Sequence, residues 1–291
     1  MVRQFELPDS LNYRKEILVM DQIDQLLAMG KRQEAANLIR KHVAGHGDAG
    51  VKNVRYAHVL ALDCDWRGVT KLLPPDMNVL ETSGWLRSIE AGRPIDMNGA
   101  PIPWLNYAVI DFIGEKINPQ MRIFEWGAGY SSLWFASKAK EVISVEDNVE
   151  WYQEVSKNLP HNLNVLSMPV QADYVGAITN QSGLFDVIVI DGSSRNDCAK
   201  ACVDKLSLNG FVVFDNSDSV EFDPSMDLFN ELGFFRIDFW GLIPSYLYKN
   251  CTSIFFRNAD FLRNALPPSK QQLSTGISCF QAHDKRVSRS R

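Results

Sequence analysis

The residues of this 291-residue chain best placed to do chemistry are acids that close short apolar runs. Arg122-Ile123-Phe124 leads into Glu125-Trp126-Gly127-Ala128-Gly129. Val142-Ile143-Ser144-Val145 leads into Glu146-Asp147, Val187-Ile188-Val189-Ile190 into Asp191-Gly192, and Phe211-Val212-Val213-Phe214 into Asp215-Asn216. One acid after a strand is ordinarily a turn former or a helix cap; four in succession suggest a rim of hydrogen-bond acceptors. Glu146 lies 21 residues after Glu125, the distance at which a carboxylate accepts hydrogen bonds from ribose hydroxyls. Glu125 stands directly before the glycines, where a carboxylate would repel a pyrophosphate and would suit a ligand carrying a cationic amine.

These acids need a sheet to hold them in line. Strand, glycine turn and helix follow one another through Met121–Ala136, so that glycine admits close approach of a ligand and the helix start offers free N–H groups. Further strands are expected at 141–146, 163–167, 184–190, 210–214, 234–240 and 252–257, with helices between most of them. Alternation of this kind implies an α/β fold: a doubly wound, mostly parallel seven-stranded sheet with an antiparallel edge strand. The edge follows from the last two strands, whose connection is too short for a helical crossover. Before the sheet, residues 1–75 read as a small α-helical region, with helices through Ile17–Leu27, Gln33–Val43, Lys52–Leu62 and Trp66–Leu73. Leu27, Gly30, Glu34 and Ala35 echo a tetratricopeptide-type helix pair, which would make the region a partner-binding or dimerisation module; the plainer alternative is a helical extension of the main domain. Residues 76–103, rich in Pro and Gly, are expected to be a linker or lid, 104–257 the main domain, and 258–291 a flexible tail with Phe261-Leu262 as its docking point.

A ligand with both a ribose and a cationic amine is S-adenosylmethionine, and the ordered set of motifs supports it. Residues 121–257 resemble a class I S-adenosylmethionine-dependent methyltransferase domain through Phe124–Ser131, Val145-Glu146-Asp147, Phe185–Gly192 and Leu208–Asp215. Ser131 replaces that family's third glycine. The resemblance implies methyl transfer to a small-molecule acceptor, at an oxygen. It also implies that Glu125 and the backbone at Gly127 and Gly129, with Tyr130 and Ser131, hold the methionine part, that Glu146 holds the ribose, and that Asp147 reaches the adenosine and Asp173 the adenine amine; the alternatives are that Asp147 caps the next helix and Asp173 forms a surface turn. Asp191, Asp215 and Asn216 further resemble the metal triad of the catechol and caffeoyl-type O-methyltransferases. Three oxygen donors suit Mg²⁺, which would lower the pKa of a bound hydroxyl and make Asp191 the catalytic centre. The basic residue expected three places after Asp191 is absent, since position 194 is Ser; Arg195 stays protonated and is no base. Without a metal, Asp191 would orient substrate or the cofactor amine and Asp215-Asn216 would form a turn. Both readings stand at this point.

Bulk properties narrow the field. A net charge of −5 argues against nucleic acid as substrate. The five cysteines form no C-x-x-C pair. With no secretory leader pattern and no apolar stretch of bilayer length, a cytoplasmic protein that does not engage a membrane is expected. Of the five histidines, three fall in the helical region, one in a connector and one in the tail, so no histidine base is implied. Two other functions compete with methyl transfer: a non-catalytic cofactor-binding protein that recruits a partner through residues 1–75, and a dinucleotide oxidoreductase, which Glu125 disfavours. Trp240, Tyr246 and Tyr248, around the last strand connection, could stack an acceptor or simply pack an edge.

Overall fold

The computed structural model describes residues 10–45, 56, 59–60, 78–263 and 275–276. Two units divide between Asn78 and Val79.

The first unit contains α1 (Ser10–Ala28) and α2 (Arg32–Ala44). Gly30, at φ 73°, takes the left-handed conformation that turns one helix into the next. Ile23, Ala35, Ala36 and Ile39 bury against one another and against Tyr56, Val59 and Leu60. The expected helices over 52–62 and 66–73 otherwise lie outside the described residues.

The second unit opens with α3 (Val79–Thr82) and α4 (Trp85–Ala91), where the turn-rich text predicts a linker. Side-chain bonds explain the difference. Ser88 Oγ donates to the Gly84 and Ile95 carbonyls at 2.9 and 3.0 Å and accepts from Ile95 N at 3.1 Å, closing the segment on itself. Trp85 is buried and donates its indole N–H to the Ile243 and Tyr246 carbonyls, at 3.1 and 3.0 Å. Helix α5 (Tyr107–Lys116) is capped by Asn106, whose Oδ1 accepts from Val109 N at 3.1 Å.

From there strands and helices alternate: β1 (Arg122–Trp126), α6 (Tyr130–Ala136), β2 (Glu141–Glu146), α7 (Val149–Val155), β3 (Leu163–Ser167), α8 (Gln171–Gly176), β4 (Phe185–Ile190), α9 (Arg195–Cys202), β5 (Leu206–Asp215), α10 (Asp223–Glu231), β6 (Phe235–Leu242) and β7 (Lys249–Phe256). They form one seven-stranded sheet in the order β3-β2-β1-β4-β5-β7-β6, parallel from β3 to β5. The mostly parallel α/β sheet is therefore the one expected. Its antiparallel pairing is confined to the edge hairpin, with β7 inserted between β5 and β6 and antiparallel to both.

Apolar alternation buries both faces of the sheet. Ile123, Val142, Val187 and Val213 pack under α5 and α6. Phe124, Ile143, Ile188 and Val212 pack with Tyr174, Cys198, Cys202 and Phe229 from α8, α9 and α10. Burial pushes the Cys198 thiol up to about 12, which leaves it an apolar filler rather than a nucleophile. Past β7, Phe261 stacks on Phe211 with ring centroids 4.9 Å apart, and Thr275 donates to Asp111 Oδ1 through N and Oγ1 at 2.9 and 2.6 Å. No helix among the described residues is long and apolar enough to cross a membrane.

Strand order reverses between β1 and β4, so a crevice is expected beyond their carboxyl ends. The strands beneath it are the core of the unit. Ile188→Ala, at a fully buried position, should cost about 2–5 kcal/mol in urea unfolding. Leu208→Ala, at a largely exposed one, should stay within about 0.5 kcal/mol of the parent; equal losses would contradict this core.

Candidate functional site

A crevice of about 320 Å³ lies at that reversal, between the turns after β1, β2 and β4. Its floor is a contact of two backbones. Gly127 leaves β1 at φ 96°, and a Cβ added there would stand 3.0 Å from Gly192 Cα. A Cβ on Gly192 would meet Gly127 N at 2.9 Å and would overlap the Tyr174 hydroxyl. Both positions therefore require glycine. The approach is held by Gly127 N donating to the Val145 carbonyl at 2.9 Å and Asp191 N donating to the Trp126 carbonyl at 3.1 Å. Gly129 differs: its backbone is extended and its nearest neighbour, the Trp151 ring, is at 3.8 Å, so nothing there demands glycine.

Of the residues singled out in the sequence, Gly127, Gly129, Tyr130, Ser131, Glu146, Asp147 and Asp191 line it. Glu146 is held from both sides, its Oε2 accepting from Ala128 N at 3.1 Å and its Oε1 from Asn148 N at 2.9 Å. Burial raises its pKa. Asp147 accepts from Ser193 Oγ at 2.5 Å. Three carboxylates thus face the crevice, and no lysine or arginine lines it.

Two expected ligand contacts sit elsewhere. Glu125 is fully buried beneath the turn and is not part of the lining, because it ends inside β1 rather than beyond it. Its Oε2 accepts from Ser132 Oγ at 2.5 Å and Ser144 Oγ at 2.7 Å, while Oε1 has no hydrogen-bond partner. Burial pushes this carboxyl up to about 7, against the opposing pull of the Ser131, Ser132 and Ser144 hydroxyls. Asp173 is exposed on the first turn of α8 and does not line the crevice. Other members were not singled out in the sequence. Trp151, on α7, lines the crevice and donates its indole N–H to the Ala128 carbonyl at 2.7 Å. Tyr174 puts a buried, unpartnered hydroxyl beside Gly192. Pro94 and Trp104 form the opposite wall.

The triad read as a metal site closes on a cation of the chain's own. Arg195 Nη2 donates to Asp191 Oδ1 at 3.2 Å, and Nη1 donates to Asn216 Oδ1 at 3.0 Å and to the Asp215 carbonyl at 2.5 Å. The Asp215 carboxylate is taken up from the other side, by Thr252 Oγ1 at 2.5 Å and Asn250 Nδ2 at 3.1 Å. Among the described residues no group of three His, Cys, Asp or Glu side chains is arranged to hold a metal. At about 4 Å and an effective dielectric near 20, like unit charges repel by about 4 kcal/mol, and a divalent ion doubles the figure. Asp191, Asp215 and Asn216 as arranged therefore do not fit Mg²⁺. Burial, and then the Asp215 charge, raise the Asp191 carboxyl well above the usual range, with Arg195 opposing.

An aromatic ladder leads away from the crevice wall. Tyr246 stacks on Trp104 with centroids 5.9 Å apart, and Tyr248 on Tyr246 at 4.9 Å. Trp104 Nε1 donates to the Pro244 carbonyl at 3.0 Å, pinning the β6–β7 connection. Trp240 stands apart from this ladder, under the Lys249 ammonium.

No family model and no curated protein matches the sequence. Among solved structures the chain is similar to a Staphylococcus aureus protein assigned as a caffeoyl-CoA O-methyltransferase, at 16% identity over 62% of this chain and 93% of that one, with a TM-score of 0.44. It is similar to a protein from Klebsiella pneumoniae assigned as an O-methyltransferase, at 15% identity over 68% and 97%, with a TM-score of 0.43. A precorrin-6y C5,15-methyltransferase from Geobacter metallireducens GS-15 is similar at 12% identity over 52% and 87%, with a TM-score of 0.42. At such identities, function is read from the site itself.

The Glu125 carboxyl generates a pH test. Its folded pKa lies above its unfolded value, so the folded chain binds the extra proton, and the Glu125 contribution to stability falls as pH rises from about 4.5 to about 7. The loss amounts to about 3 kcal/mol. Glu125→Gln should match the parent near pH 5 and exceed its stability near pH 8 in urea unfolding. Parallel stability profiles across that range would contradict the assignment.

Proposed function

We propose that the crevice binds S-adenosylmethionine and that the chain transfers its methyl group to an oxygen of a small-molecule acceptor. The observation that carries this reading is the charge of the lining: Glu146 and Asp147, with Asp191 paired to Arg195 from behind, and no lysine or arginine in the lining itself. A pyrophosphate would be repelled there, which disfavours a dinucleotide, whereas a sulfonium and an ammonium are both favoured. The contact of Gly127 with Gly192 gives the ligand a flat backbone floor. Glu146, fixed by two backbone N–H donors, has lone pairs left to accept from ribose hydroxyls.

When bound, S-adenosylmethionine supplies an electrophilic methyl group on a positively charged sulfur. The chain's own residues align the partners and exclude water. Trp104 and Pro94 wall the crevice on the acceptor side. Asp191 lines it with a carboxyl raised above the usual range, and in its ionised form it would accept the acceptor hydroxyl's proton while the methyl carbon passes from sulfur to oxygen and the sulfur keeps the bonding pair as a neutral thioether. The stacked Trp104, Tyr246 and Tyr248 rings suit a planar acceptor.

Isothermal calorimetry with S-adenosylhomocysteine tests the cofactor half. Glu146→Ala should weaken binding by about 10–100-fold, the worth of hydrogen bonds to a charged group, and Asp173→Ala should leave it within about twofold. No binding by the parent chain, or equal effects of the two variants, would overturn the reading. In a methyl-transfer assay over a panel of planar hydroxylated acceptors, Tyr246→Ala should raise the acceptor KM by about 3–10-fold at unchanged cofactor affinity. An unchanged KM would remove the ladder from the acceptor site.

A further inference from the structure

Arg195 spends its whole hydrogen-bonding capacity on the strand ends that flank the crevice. Besides Asp191 Oδ1, Asn216 Oδ1 and the Asp215 carbonyl, it donates through Nε to the Gly192 carbonyl at 2.8 Å and through Nη2 to the Asp191 carbonyl at 3.2 Å. A guanidinium has five N–H donors, and five acceptors are engaged. Its side chain is 13% exposed, and its Cζ lies 5.2 Å from the Phe222 ring centroid. All the acceptors belong to the turns after β4 and β5, the same two turns that carry Asp191, Asp215 and Asn216.

Both turns are held in an unusual backbone state. Ser194 at φ 51° and Asn216 at φ 53° are two of the three non-glycine residues with positive φ among those described. Such conformations persist where their surroundings hold them. The guanidinium bridges one turn to the other, and the Gly192 carbonyl it grips belongs to the crevice floor.

We propose that Arg195 is a built-in cation standing where a divalent metal would otherwise bridge Asp191 and Asn216. It acts as a positioning residue for Asp191 and Gly192, and it bars a metal from the cluster. The two roles make separable demands. Barring a metal needs only positive charge. Bracing both turns needs the planar fork, which lysine lacks.

Mn²⁺ titration followed by electron paramagnetic resonance reads the first demand, with folding monitored by circular dichroism. The parent chain and Arg195→Lys should leave Mn²⁺ free at millimolar concentration. Arg195→Ala should take up one Mn²⁺ at least tenfold more tightly than the parent, and adding Asp191→Asn should abolish the uptake. Arg195→Gln serves the same arm with less loss of volume. Mn²⁺ binding by the parent that Asp191→Asn removes would overturn the proposal, whatever the variants do. So would folded Arg195→Ala and Arg195→Gln proteins that bind no more Mn²⁺ than the parent.

The second demand rests on the methyl-transfer reading. Parent turnover should persist unchanged in EDTA, and Arg195→Lys should lower kcat by at least tenfold. Turnover lost in EDTA and restored by Mg²⁺ would overturn the proposal while leaving methyl transfer standing. Conversely, a chain with no methyl transfer at all would refute that reading, and the Mn²⁺ arm would still decide whether Arg195 holds the metal's place.

Discussion

The approach of two glycine backbones, Gly127 after β1 and Gly192 after β4, is the constraint on which the site depends. Neither position has room for a methyl group, and Gly127 also needs a positive φ. The crevice lies over this contact, where the sheet order reverses. Glu146 on one side and Asp191 on the other become its acidic flanks. The parallel pairing of β1 with both β2 and β4 sets the distance between those flanks, and the buried Ile, Val and Phe of the three strands keep it constant. Core packing and ligand geometry are thus one problem, solved by the same strands.

Much of this was legible in the residues. Short, largely apolar runs, each closed by an acid and followed by helical text, encode both the strands and the rim, since parallel strands buried on both faces carry no polar alternation. Glu146, Asp147 and Asp191 could be assigned to the crevice because a strand end in an open parallel sheet has only one outlet. Glu125 read the same way but behaves differently. It is the fourth residue of a five-residue strand, with Trp126 still to follow, so its side chain stays within the sheet and turns to serine hydroxyls. Strand boundaries are the least legible feature of a sequence, and a shift of one or two residues separates a ligand contact from a buried support.

The remaining discrepancies come from long-range partners that no local pattern announces. Trp85 and Trp104 turn a Pro- and Gly-rich stretch into a docked wall because carbonyls 140 to 161 residues away accept their indole N–H groups. Arg195 stays protonated and cannot act as a base. Its other capacity, to serve as a fixed cation for three oxygen donors, depends on β4 and β5 being neighbours. Asp191, Asp215 and Asn216 do converge as their order along the chain suggested, yet the charge at their centre is covalently part of the protein. Likewise Gly129 looked essential by its place in the motif, and its extended backbone makes no such demand.

The crevice floored by Gly127 and Gly192, acidic and lined by no lysine or arginine, is the proposed seat of a sulfonium nucleoside. A crystal structure with S-adenosylhomocysteine tests it most directly. The account predicts the ribose hydroxyls within hydrogen-bonding distance of the Glu146 carboxylate, with the ligand lying over the two glycines. A ligand bound elsewhere on the chain, or a crevice left empty at saturating ligand, would contradict it.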